Sequence, residues 1–184
     1  MKRYGADRDK EIQRLLQEMP EEGFRLLFDV YHMQLCVYVV QLTDSFQLAE
    51  DIVQDFFVAF WERKYYRAIT GNFRSYLYTS VHNAALAVLK KKKLVPMGLL
   101  TGVPVEIPQE AVLEREELER QEKELMLKLE KLPKQEIAAI KAVILENKKC
   151  VEAALELGMS VNTLKTHLAR ALKKLRKDYH LSFL

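Results

Sequence analysis

Cysteine, glycine and proline are scarce in this chain, at two, six and five of 184 residues. Two cysteines cannot make a disulfide framework, and Cys36 and Cys150 lie far apart in helical patterns. They read as buried thiols of a reducing compartment. His32 and Cys36 stand four apart, but two ligands do not make a metal site, so packing is the expectation there. With so little glycine and proline to interrupt them, long periodic segments dominate, and the expected fold class is all-α. The N-terminal MKRYGADRDK has no apolar run and predicts no signal peptide, and no segment is expected to reach the roughly 18 apolar residues of a membrane span. A phosphate-cradling glycine loop, a zinc spacing and a nucleophile beside a base are all missing. This is the pattern of a binding protein with no cofactor, not of an enzyme. Net charge is only +3, so a nucleic-acid surface must arise from local segregation of charge.

Such segregation is present in CVEAALELGMSVNTLKTHLARALKKLRK, residues 150–177, which holds no acid from 161 onward. Val151, Ala154 and Leu155 are expected to line a short helix, Gly158 to turn the chain, and Ser160 to cap a second helix. Val161, Leu164, Leu168, Ala171, Leu172 and Leu175 form the apolar stripe of that helix. Asn162, Thr163, Thr166, Arg170, Lys173 and Lys177 fall opposite, small polar groups first and cations after. That order suits a helix-turn-helix reader, whose N-terminal residues reach base edges while its flanks hold phosphates.

Upstream, residues 8–18 predict a short amphipathic helix, and a longer one runs from about Glu22 to Leu42 with Phe24, Leu27, Phe28, Tyr31, Leu35 and Tyr38 inward. From Phe46 to Arg63 nearly every face is apolar. Only Asp51, Gln54, Asp55 and Glu62, with Val58 among them, form a polar stripe, which read alone is a solvent edge. KYYRAITGN follows, a loop of cations and tyrosines. Asn72 can cap the next helix, whose expected core is Phe73, Tyr76, Leu77, Val81, Ala84 and Val88. Its other faces carry Arg74, Tyr78, His82, Asn83 and Lys90. Cations interleaved with aromatics suit single-stranded DNA, since any unstacked base can lie on a ring.

Residues 94–109 hold three prolines and two glycines, which no helix survives. The expected domains are therefore 1–93 and 110–184, joined by a linker. An acidic helix is expected over 110–131, and Leu132-Pro133 ends one helix and opens another with Ile137, Ile140, Val143 and Ile144 inward. No internal repeat is found.

In order and separation these motifs resemble the extracytoplasmic-function sigma factors of bacterial RNA polymerase. LAEDIVQDFFVAFW, NFRSYLYTSVHN and LELGMSVNTLKTHLARALKKLR are similar to the family's most recognisable helices. The resemblance implies that 1–93 binds core RNA polymerase through Asp51, Gln54 and Asp55. It also implies that Tyr65, Tyr66, Arg67, Asn72, Tyr78, Asn83 and Lys90 meet the minus-ten DNA, where one base is flipped. Ser160, Asn162, Thr163, Thr166, Arg170, Lys173 and Lys177 would meet the minus-thirty-five element. Promoter DNA and core polymerase are the implied partners, in the cytoplasm, with an anti-sigma factor as a further one and no direct membrane insertion. The chain departs from the family at Ala87 and Lys90, where aspartate and arginine are usual. Two other readings stay open: a helix-turn-helix regulator with an N-terminal dimerising or sensing domain, and a protein-interaction module.

Overall fold

In this computed structural model the described residues are 4–69, 72–91, 120, 123, 125–146 and 148–178. They form helices α1 (Tyr4–Glu18), α2 (Pro20–Thr43), α3 (Phe46–Glu62) and α4 (Phe73–Lys91), with a 3₁₀ turn at Tyr65–Arg67 before α4. After the linker come α5 (Lys134–Ile140), a π-helical turn (Lys141–Leu145), α6 (Cys150–Glu156) and α7 (Val161–Asp178). Among the described residues there is no strand. Two compact units result, one built on α1 to α4 and the other on α5 to α7. The linker and most of the expected acidic helix lie outside the described residues, although 125–129 are helical.

In the first unit α2 is the central helix. Leu27, Tyr31 and Leu35 are buried as the period requires, and from Leu35 to Val40 every residue is buried, because α1 and α4 both pack on α2. Over its most apolar 18 residues α2 has a mean hydropathy of 1.2. By length and composition it could therefore cross a bilayer, contrary to the expectation that no segment would. From Leu35 to Val40, however, it is covered on every side, as a core helix is. Phe24 and Phe28 face α3, with Phe24 4.9 Å from Trp61 and Phe28 5.1 Å from Phe57 between ring centroids. Such offset and tilted pairs add to the area they bury. The Cys36 sulfur lies 3.9 Å from the His32 ring, and no third ligand joins them among the described residues.

Gly23, which read by itself would break a helix, sits inside α2, where α1 comes closest. A Cβ there would meet the Leu16 backbone nitrogen at 2.4 Å. The join between α1 and α2 is also polar: the Tyr31 hydroxyl donates a very short hydrogen bond to Asp9.

On α4 the core face is Phe73, Leu77, Tyr78, Val81, His82, Ala85 and Leu89, rotated from the expected one. Tyr76, Ala84 and Val88 are only half-buried. The rotation follows from a polar contact that apolar counting cannot see. His82 Nδ1 and the Tyr38 hydroxyl share a buried hydrogen bond of 2.8 Å, and Tyr78 packs edge-on to Tyr38.

In the second unit Pro133 precedes the first turn of α5 and its carbonyl accepts from Glu136 and Ile137. Ile140 and Val143 are buried as expected, with Ala139 and Ala142 beside them. Leu164, Leu168, Ala171, Leu172 and Leu175 of α7 close this core.

Two outcomes test this packing. Gly23→Ala forces backbone apart, so it is expected to destabilise the first unit by about 3 kcal/mol. Trp61, the chain's one tryptophan, reports that unit in denaturant titrations, and an unchanged midpoint would contradict the close approach. Burial, and for Tyr31 also Asp9, raises Tyr31 and Tyr78 above the usual phenol range. Below pH of about 10 both folded and unfolded states keep these protons. Above it the unfolded chain releases them while the fold retains them, so stability falls by up to about 1.4 kcal/mol per pH unit per tyrosine. Tyr31→Phe is expected to make that alkaline fall shallower, and an identical pH profile would remove Tyr31 from it.

Candidate functional site

Three surfaces carry the residues singled out by the sequence. The first is on α3, where Ala49, Ile52, Val53, Phe57 and Phe60 are buried. Asp51, Gln54, Asp55 and Glu62 are all exposed, with Val58 among them at 54 % exposure. Positions three, four and seven apart share a face, so this is one continuous strip.

The second surface begins where α3 ends. Lys64 adopts a left-handed backbone with φ 53° and starts the 3₁₀ turn. The turn sends its two tyrosines opposite ways. Tyr66 is buried, its ring 5.9 Å from Phe60 and 6.1 Å from Trp61. Tyr65 is 37 % exposed, and Arg63 Nη1 donates to its hydroxyl at 3.0 Å. Arg67 is exposed. Asn72 caps α4 as expected, its Oδ1 accepting from Ser75 N–H at 2.8 Å. Asn83 and Lys90 are exposed, seven residues apart and so on one face of α4, and half-buried Tyr76 lies a further seven before Asn83. Tyr78 is a correction. At 1 % exposure it belongs to the core beside Tyr38 and is not available to DNA. Tyr66, at 5 % exposure, likewise keeps its ring in the core.

The third surface is the helix-turn-helix. Gly158 has φ 63°; its N–H donates to Leu155, and Met159 N–H to Ala154. This is the Schellman arrangement, in which a glycine takes the left-handed position and the last carbonyls of α6 are satisfied. Ser160 then caps α7, its Oγ accepting from Thr163 N–H at 3.0 Å. The expected face of α6 needs correction. Its core residues are Cys150, Ala153 and Ala154, while Val151 and Leu155 are 70 % and 84 % exposed. The two-turn helix lays its small residues, not its largest, against α7.

On α7, Ser160, Asn162, Thr163, Thr166, Arg170 and Lys173 are all exposed. Lys177 lies in the helix, with its side chain outside the described residues. Ser160 and Thr163 share a hydroxyl contact of 2.8 Å, and Thr166 donates to the Asn162 carbonyl. Lys174, also exposed, reaches back to donate to both oxygens of buried Glu136 on α5 at 2.9 Å. That pair fixes how α7 sits on its own unit. A leucine-rich helix with one buried acid opposite it, Glu136, was the available signal, but an acid three residues after a proline reads more readily as a first-turn carboxylate. Ahead of α6, Lys148 bridges Glu146 at 2.8 Å and Glu156 at 2.5 Å. These hydrogen bonds raise Lys148 above the usual lysine range and lower Glu146.

The architecture defines a class: a two-unit helical protein that pairs an acidic strip and an aromatic-cationic turn with a DNA-reading helix-turn-helix. The sequence patterns of two families complete the assignment. Sigma-70 region 2 matches residues 27–95, and Sigma-70 region 4 matches residues 122–175. Together they span about two thirds of the chain. No curated protein matches it. The chain belongs to the extracytoplasmic-function sigma factors, whose signature is this pair of regions. It is a sigma factor that engages core RNA polymerase and directs promoter recognition.

The one-sided basic face of α7 gives a test. Lys173→Ala and Lys177→Ala are expected to weaken binding evenly across DNA sequences. Each should lower the log–log salt slope by about 0.9 per lost phosphate contact. Arg170→Ala and Asn162→Ala are expected instead to change which sequence is preferred. Unchanged affinity and slope in all four would take DNA off this helix.

Proposed function

We propose that the strip Asp51, Gln54 and Asp55 docks on a basic surface of core polymerase. The turn Tyr65–Arg67, with Asn72, Asn83 and Lys90, captures a flipped base of the minus-ten element and holds the strands apart. The face Ser160, Asn162, Thr163, Thr166, Arg170, Lys173 and Lys177 reads the minus-thirty-five element. The observation that carries this reading is the α3 strip: opposite the buried face, Asp51, Gln54, Asp55, Val58 and Glu62 form one continuous exposed face. Stacking and hydrogen bonds to the extruded base offset the few kcal/mol that flipping costs. Tyr65 and Arg67 supply the exposed ring and cation for this, and Asn83 an amide with both donors and an acceptor. In this reading 1–93 and 110–184 are the two working domains, and 94–109 joins them. The protein works in the cytoplasm alongside core polymerase without entering the membrane. It has no catalytic role of its own, and an anti-sigma factor is the regulating partner that the family implies. No observation favours a free-standing helix-turn-helix regulator or a pure interaction module.

Reversing the strip tests the docking surface. In Asp51→Lys/Asp55→Lys, like charges would meet in a partly desolvated contact, at an expected cost of several kcal/mol of association. Both residues lie outside the core, so circular dichroism should stay that of the wild type. The measurement is capture of purified core polymerase by the tagged chain. A folded double mutant that captures polymerase at wild-type affinity would place the interface elsewhere.

A further inference from the structure

The helix α1 precedes the region-2 match, which begins at residue 27, yet it is tied to the turn that the proposed function assigns to strand opening. Ile12 and Leu16 of α1 are fully buried, and Gly23 allows α1 to press onto α2 with no Cβ between them. Asp9 fastens the helix to Tyr31. Near its C-terminal end, Gln17 Nε2 donates a 3.0 Å hydrogen bond to the backbone carbonyl of Tyr66, 49 residues along the chain.

The turn that receives this bond is not one the local sequence would hold unaided. Lys64 takes a left-handed backbone with φ 53°, in which the Cβ of a side-chain-bearing residue crowds the carbonyl oxygen. Such a conformation persists only where its surroundings over-determine it. Two backbone bonds within the turn contribute, Arg67 N–H to Lys64 and Ala68 N–H to Tyr65. The Tyr66 ring anchors the turn from below, against Phe60 and Trp61. Gln17 anchors it from the side, by the carbonyl of the same residue. With Tyr66 fixed at both ring and backbone, Tyr65 and Arg67 on either side are presented outward in one arrangement.

We infer that Gln17 is a positioning residue for promoter opening: its amide N–H holds the Tyr65–Arg67 turn in the geometry that receives the separated strand. The inference rests on the proposed strand-opening role of that turn. It gives α1 a part in initiation although Gln17 touches no DNA.

The isosteric change Gln17→Glu removes the donor and sets a carboxylate against the carbonyl, whereas Gln17→Lys keeps a donor. Holoenzymes carrying each variant would be compared on a promoter recovered by holoenzyme selection from genomic fragments. Strand opening is read by permanganate reactivity of thymines, alongside a template with the same sequence already unpaired. Gln17→Glu is expected to open the duplex about tenfold more slowly, with capture of core polymerase and transcription from the unpaired template unchanged. Gln17→Lys should restore opening. Tyr65→Ala/Arg67→Ala serves as the reference. If it opens the promoter normally, the turn is not the opening element and the inference falls with that reading. If it fails while Gln17→Glu opens at the wild-type rate, the turn keeps its role and Gln17 loses its own. An equal loss by Gln17→Glu on duplex and unpaired templates would also overturn the inference, because the defect would then lie in folding or assembly.

Discussion

The apolar face of α3 is the constraint on which the first unit depends. Ala49, Ile52, Val53, Phe57 and Phe60 fall on one side of the helix and are all buried, as a helical period requires. That side is covered by Phe24 and Phe28 of α2 and, at its C-terminal end, by Tyr66 and Tyr76. Burying a large apolar side chain is worth roughly 1.5–3 kcal/mol, so covering that side dominates every local preference of the helix. It also decides what remains outside, a single strip. The covering aromatics then draw Tyr66 inward and leave Tyr65 and Arg67 at the surface. Packing and function are thus set by one set of contacts, since the rings that close the core also orient the turn.

The second unit solves a different problem. A helix that must present a polar and basic face needs a firm apolar seat, and the leucines of α7 supply it. Orientation about the helix axis is fixed by polar devices at its two ends. Ser160 caps the start, and Lys174 reaches back to Glu136 near the end. With Lys174 engaged by Glu136, Arg170 and Lys173 are the exposed cations on the expected reading face. Small residues at Ala153 and Ala154 allow α6 to lie close, and the Schellman turn at Gly158 sets the angle between the two helices.

Much of this was legible in the chain because it depends on period and on turn chemistry. Helix order, the α3 strip, the Asn72 and Ser160 caps, the turn at Gly158 and the break at Pro133 all follow from local rules. What was not legible depends on contacts between residues distant in sequence. The rotation of α4 follows from the Tyr38–His82 hydrogen bond, whose partners are 44 residues apart, so Tyr78 was read outward when it is core. The face of α6 was read from its largest side chains, Val151 and Leu155, when the buried residues of that helix are two alanines and a cysteine. Gly23 looked like punctuation because nothing local shows that α1 will press against it. Gln17 carries no motif, and its role appears only once the Tyr66 carbonyl lies beside it.

A sigma factor brings core RNA polymerase to promoters it does not otherwise use. Run-off transcription by purified core RNA polymerase on fragmented genomic DNA, with and without this chain, reads that directly. Transcripts are expected that appear only with the chain and start at fixed sites sharing two upstream sequence elements. Polymerase that initiates no differently when the chain is added would contradict that expectation.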